Sequence, residues 1–258
     1  MQIQLINWSG HKNLGDDAMR DILLQYFKDS FNVGEKPYEA DWYILGGGTL
    51  ISPGSIFYNL IEHPERTIGV SLGVSYNWKG EGSDVLRRMK KIFTRDFFSH
   101  EMLNKFGIQN ELSVDLVCYL NPIIKSEKKE IWANLMESSC TTLPDLRGEI
   151  ARSREELEGK YVNYFAMSPD EDVTTQPNAV VYTNAQVLLD FLVSAKTIYA
   201  TRLHANILAW LSGCKDIRTI EYDYKIKHFF ERVKNLTPKK AKKIIEKDLL
   251  AINNIIYG

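Results

Sequence analysis

The stretch Thr197-Ile198-Tyr199-Ala200-Thr201-Arg202-Leu203-His204-Ala205, continuing through Ile207, Leu208 and Leu211, decides how the chain is read. Thr197 to Thr201 is short and rich in β-branched and aromatic residues, as strands are, and no turn residue separates it from the next segment. In that segment Leu203, Ile207, Leu208 and Leu211 recur at helical spacing. A strand that passes straight into a helix is half of a βαβ unit, so its neighbours are expected to be parallel strands.

Working outward, the same alternation recurs. Gln2 to Asn7 reads as a strand, and from Asp16 onward Met19, Ile22, Leu23, Tyr26 and Phe27 form an apolar helical stripe. Asp41 to Leu45 is a second strand, running into Gly46-Gly47-Gly48, and Thr67 to Leu72 is a third. Next come a helix near Asp84 to Ile92, a short strand at Phe93-Thr94, a helix from Phe97 to Phe106 stopped by Gly107, and a strand at Leu112 to Val114. Asn121-Pro122 breaks the pattern, and Ser126 to Lys160 is charged and helix-prone, with no strand expected. Tyr161 to Met167, Val180 to Tyr182 and Arg218 to Ile220 read as strands, and Ala185 to Ala195 as a helix. Thr237-Pro238 is an N-cap and first-turn pair for a last helix, whose Lys239 to Lys247 run reads as a solvated face. The expected architecture is α/β with two Rossmann-like lobes, residues 1–122 and 123–258, the last helix being a candidate to bridge back to the first lobe.

Composition sets limits. At 258 residues with 44% apolar and 25% charged residues, the chain can bury a substantial core and is neither fibrous nor disordered. A net charge of −1 gives no global attraction to nucleic acid, so an anion site must be local. Cys118, Cys140 and Cys214 are far apart and odd in number, which supports neither a disulfide framework nor a zinc knuckle. The histidines His11, His63, His100, His204 and His228 show no paired spacing, so no metal is expected. The first residues read as a strand and not as a signal peptide, and no apolar run approaches the ~20 residues of a membrane span, so a cytoplasmic location is expected.

Four segments carry candidate chemistry. Asn13-Leu14-Gly15-Asp16-Asp17 lies between the first strand and first helix, where parallel sheets place ligands; the plainer reading is a loop with Asp16 capping the helix. Gly46, Gly47, Gly48 and Thr49 come directly after a strand and allow close backbone approach, or form a simple flexible loop. They match neither a P-loop nor a dinucleotide fingerprint. Arg95-Asp96, with Ser99, can clamp a carboxylate or phosphate, or make a surface pair and a cap. Arg202 and His204 stand at a helix start, where the dipole favours anions and a histidine can transfer a proton near neutral pH. His204 also shares a helix side with Leu208 and Leu211, as a buried structural histidine would. Tyr222 and Lys225 lie just past the last strand and can close the same pocket.

Taken in order, these pieces resemble the polysaccharide pyruvyltransferases. The resemblance rests on N-x-G-D-[DE] at Asn13, Gly15, Asp16 and Asp17, G-G-G at Gly46 to Gly48, and I-G-x-x-x-G from Ile68 to Gly73. It continues through R-D-x-x-S at Arg95, Asp96 and Ser99, Asp115, R-x-H at Arg202 and His204, and Tyr222 with Lys225. It implies a GT-B-like fold with an inter-lobe cleft, and transfer of pyruvate from phosphoenolpyruvate to a sugar of a glycan or glycan precursor as a ketal. On that reading Arg202 and Arg95, assisted by Lys225, bind the donor. His204 transfers the proton, with Asp16 or Asp17 as the alternative base. No cofactor and no nucleic acid are expected, the acceptor is a glycan, and association with a membrane-bound precursor is transient. The competing readings are a nucleotide-sugar glycosyltransferase of the same architecture and a catalytically silent glycan- or anion-binding protein.

Overall fold

The computed structural model describes residues 1–7, 12–27, 39–136, 146–168, 170, 172, 178–221 and 223–258, together with the backbone of 31–33. The chain divides into two compact units that are not consecutive in sequence. The first comprises Met1–Ser9, Met19–Tyr119 and Glu231–Gly258, and the second Gly10–Ala18 and Leu120–Phe230.

The first unit is built on a six-stranded sheet of β1 (Ile3–Ile6), β2 (Phe31–Val33), β3 (Trp42–Gly46), β4 (Thr67–Leu72), β5 (Lys91–Thr94) and β6 (Glu111–Leu112). Their spatial order is β2-β1-β3-β4-β5-β6, with every pairing parallel. Every residue of β1 and β4 is buried, as in a sheet covered on both faces. Order reverses at β1, so the carboxyl ends of β1 and β3 flank this unit's topological switch point. The core joins Tyr43 and Leu45 of β3 to Leu72 of β4, Trp78, and Leu86 and Leu103 on the covering helices.

The second unit is built on five parallel strands: β7 (Glu130–Asn134), β8 (Val162–Ala166), β9 (Val180–Val181), β10 (Ala195–Ala200) and β11 (Asp216–Thr219). They are ordered β11-β10-β7-β8-β9. Here the order reverses between β7 and β10, and their carboxyl ends, Asn134 and Ala200, lie opposite each other in register. Two wholly parallel sheets with interleaved helices establish the α/β class and the Rossmann-like character of both units.

The described residues include the helices α1 (Leu14–Tyr26), α2 (Phe57–Leu60), α3 (Ser83–Arg88), α4 (Phe97–Lys105), α5 (Leu146–Leu157), α6 (Ala185–Leu192), α7 (Leu203–Leu211), α8 (Tyr224–Val233) and α9 (Pro238–Tyr257). The helix expected from Asp84 to Ile92 stops at Arg88, because Ile92 belongs to β5. The strand expected at Leu112 to Val114 is Glu111–Leu112. The larger correction is β7, which falls inside the segment expected to hold no strand and stands at the centre of its sheet. Its polar ends disguise it. Glu130 accepts hydrogen bonds from Ser194 Oγ and Trp132 Nε1, both at 2.8 Å, and Asn134 donates to the Phe165 carbonyl at 3.0 Å. Tertiary partners absorb the polarity that made the segment look exposed.

Candidate functional site

The second unit's switch point is wired by Asn134. At the end of β7 its carbonyl accepts from Thr201 N at 2.9 Å and Thr201 Oγ1 at 3.0 Å. Its side-chain oxygen lies 3.4 Å from Arg202 N, and its amide donates to Asp172 Oδ2 at 2.9 Å. Asp172 has no exposure at all. The same Oδ2 accepts Met167 N at 2.7 Å and Ser168 N at 3.3 Å, so the end of β8 is tied to it. Its other oxygen receives Nε and Nη2 of Arg202, each at 2.8 Å. Arg202 is 8% exposed, and this pairing fixes the plane of its guanidinium where β10 gives way to α7. A buried carboxylate that both accepts amides and grips a guanidinium is a strong orienting device.

His204, in the first turn of α7, is 9% exposed. Its imidazole lies against Gly15: a Cβ on residue 15 would stand 1.8 Å from His204 Nδ1. Glycine is required there by the histidine ring. Asn13 caps α1, its Oδ1 accepting Gly15 N at 3.1 Å and Asp16 N at 3.4 Å, and Leu14 N donates to the Met167 carbonyl at 2.8 Å. The cap is therefore Asn13 and not Asp16, which leaves Asp16 and Asp17 in the first turn of α1. The structure thus brings Asn13, Gly15, Arg202 and His204 into one assembly with Asp172 and Asn134. Lys225, half-buried at the start of α8, pairs with Asp223 at 3.5 Å. Tyr222 lies outside the described residues.

In the first unit the candidates form a second assembly. Arg95, 5% exposed, stands just after β5 and donates from Nη2 to Thr49 Oγ1 at 2.7 Å. Its guanidinium also faces Asp96 Oδ2 at 3.5 Å and Asp115 Oδ2 at 3.6 Å. It lies flat over Gly73, where a Cβ would meet Cζ at 2.7 Å. Asp96 caps α4 through Ser99 N at 2.7 Å, and Ser99 Oγ accepts Val74 N at 2.9 Å. Ser71 takes a left-handed φ of +55° in β4, and its hydroxyl accepts Leu116 N at 2.8 Å, tying the strand to the Asp115 loop. Gly46 and Gly47 are buried and Gly48 is too. Gly47 N donates to the Val70 carbonyl and Gly73 N to the Gly48 carbonyl, each at 2.8 Å. Gly47 has a φ of +68°, and a Cβ there would strike Met19 Sδ at 2.3 Å, so packing as well as backbone conformation demands the glycine.

These paired motifs lie in the matched order of one family: a family model described as polysaccharide pyruvyl transferase matches residues 13–224. The chain belongs to that family. The match runs from the Asn13 cap to the first residue of α8, and so takes in every polysaccharide pyruvyltransferase motif named above except Lys225. No curated protein matches the chain. Among solved structures, a functionally uncharacterized protein from Klebsiella pneumoniae subsp. pneumoniae NTUH-K2044 is similar over 89% of this chain and 87% of its own. Its TM-score is 0.54 at 14% identity, which is a likeness of fold.

Sequence reasoning missed Asp172 and Asn134. Asp172 sits in the acidic run Asp170-Glu171-Asp172, where nothing local singles it out, and Asn134 ends a strand hidden in a charged segment. The need of a buried Arg202 for a carboxylate partner was the one available signal.

Proposed function

We propose that the chain transfers pyruvate from phosphoenolpyruvate to a sugar of a glycan or glycan precursor, forming a ketal. The observation that carries this reading is the pairing of an oriented guanidinium with an imidazole at the β7/β10 switch point: Arg202 held by Asp172, and His204 seated on Gly15. Arg202 grips the donor's anionic groups, and the first turn of α7 adds the positive end of its dipole. His204 delivers a proton to the methylene carbon of the donor, leaving positive charge at the adjacent carbon. A sugar hydroxyl adds there, and a second hydroxyl then displaces phosphate. Asp16 or Asp17, in the first turn of α1, takes the proton from the acceptor hydroxyl. Arg95 and Lys225 are proposed as further donor contacts. Arg95 faces two carboxylates, so an anion reaches it favourably only with one of them displaced or protonated.

Two substitutions should fail differently. Arg202→Ala weakens donor binding by about 1.5–3 kcal/mol per lost contact. His204→Gln leaves binding near parental while lowering turnover about 10²–10⁴-fold. Calorimetric titration with phosphoenolpyruvate, donor-dependent phosphate release and thermal unfolding measure the three quantities. A parent that ignores phosphoenolpyruvate but binds a sugar nucleotide overturns the reading in favour of glycosyl transfer.

A further inference from the structure

The last helix, α9, buries Ala241, Ile245, Asp248, Leu249, Ile252 and Ile256 against its own unit. Its opposite stripe is exposed and cationic. Lys239, Lys243 and Lys247 succeed one another at four-residue spacing, with exposed Lys240 beside them, and the stripe runs on through Leu250, 54% exposed, to Tyr257.

This arrangement breaks the rules of an ordinary solvated helix. Cations in a first turn oppose the helix dipole, and like charges four residues apart repel. A solvated face offsets this with interleaved carboxylates. Here Glu246 is the one exposed acid on the helix, Asp248 is buried with Lys247 acting on it through space, and Lys239, Lys240 and Lys243 make no ion pair within 4.0 Å among the described residues. Lys242 is used differently, its Nζ standing 4.7 Å over the Tyr119 ring. The chain's net charge of −1 makes the concentration local. Local choices that oppose folding without a structural return point to function.

We propose that the exposed face of α9 docks on an anionic lipid bilayer surface. Lysines without arginine forks suit diffuse headgroup charge more than bidentate phosphodiester contacts. The exposed Leu250 and the ring of Tyr257 on the same stripe give the helix an apolar end to lay into the interface. A narrow stripe on an otherwise slightly acidic chain offers no broad basic face to a nucleic-acid duplex. The inference is independent of pyruvyl transfer, and its test contains no donor or acceptor.

The test is flotation of the full chain with vesicles of phosphatidylcholine alone and of phosphatidylcholine mixed with phosphatidylserine. Binding is expected to the mixed vesicles alone and to fall as salt is raised. Each lysine near such a surface is worth roughly fivefold in partitioning, so reversing two charges in Lys239→Glu/Lys243→Glu lowers binding by on the order of 10²-fold. Lys239→Arg/Lys243→Arg retains it. The charge-reversed protein is at the same time expected to unfold at a higher temperature, because Lys239→Glu complements the dipole in the first turn and both changes relieve repulsion among the lysines; an unfolding artefact would move both readouts down together. Equal binding to both vesicle types, no binding to either, or full retention in the charge-reversed variant overturns the proposal. Tighter binding to an RNA or DNA duplex than to the mixed vesicles assigns the face to nucleic acid instead.

Discussion

His204 rests on Gly15, with no room for a methyl group between them: a Cβ on residue 15 would come within 1.8 Å of Nδ1 and 2.1 Å of Cγ. Two motifs on opposite sides of the second unit's sequence are thus one steric unit, and residue 15 cannot gain a side chain without moving the imidazole.

Gly15→Ala is expected to displace the His204 ring while leaving α1 capped by Asn13. Overpacking of this kind costs about 1–3 kcal/mol of stability. Turnover should fall more than that loss of fold explains, and donor affinity should change little, since Arg202 is held separately by Asp172. Comparing denaturant midpoints with kcat and KM for phosphoenolpyruvate checks both parts.

Asp172→Asn removes the charge that orients Arg202 but keeps the size of the side chain. Breaking one side of a buried ion pair typically costs about 3–5 kcal/mol, and the full range is expected because the NH2 of the new amide faces N–H donors on either side. Donor affinity should weaken along with stability, because the guanidinium loses its fixed plane. Donor titration on the folded fraction, beside chemical unfolding, separates the two. Unchanged donor affinity would confine Asp172 to a structural role.

Arg95→Lys tests the first unit. Lysine keeps the charge between Asp96 and Asp115 but cannot lie flat on Gly73 while reaching Thr49. A loss of about 2–4 kcal/mol is expected, read by chemical unfolding. Gly73→Ala should fall in the same range, and the double variant should lose less than the sum, since both changes break one contact.

Asp248 supplies a pH dependence. Burial pushes its carboxyl up from 3.8 to about 6, with Glu111 adding to the rise, while the Ser113 hydroxyl, Lys247 and Arg232 oppose it. A raised carboxyl favours the neutral acid in the folded state. The stabilisation is therefore complete below the unfolded value and is lost as pH rises through about 6. Asp248→Asn is expected to flatten the slope of stability across that window and to leave the protein about 1–3 kcal/mol more stable at neutral pH. Unfolding curves across the window, parent against variant, provide the check.

What could be read from the sequence was what local chemistry writes there. Thr201-Arg202-Leu203-His204 gives a strand end and a helix start within four residues, and Thr237 caps α9 through Lys240 N at 3.3 Å, as its Thr-Pro pair foretold. The family resemblance, carried by the order of the motifs, was legible too. Partnerships across long separations were not. Nothing in Gly15 announces an imidazole, nothing in Gly73 announces a guanidinium, and Asp172 acquires its role only when Arg202, thirty residues on, is folded beside it. The strand β7 was hidden for the same reason, its polar ends being satisfied by residues far along the chain.

The interleaved segments also set an order for folding during synthesis. The strand β7 lies between β8 and β10, so its second edge stays open until Ala195–Ala200 has emerged, some sixty residues later. The first unit waits longer, since Glu231–Gly258 belongs to it and comes after every residue of the second. The unit that begins first is completed last. Until α9 arrives, the nascent chain carries the uncovered apolar surface that Ile245, Leu249 and Ile252 will close, and that interval is where a chaperone would find its substrate.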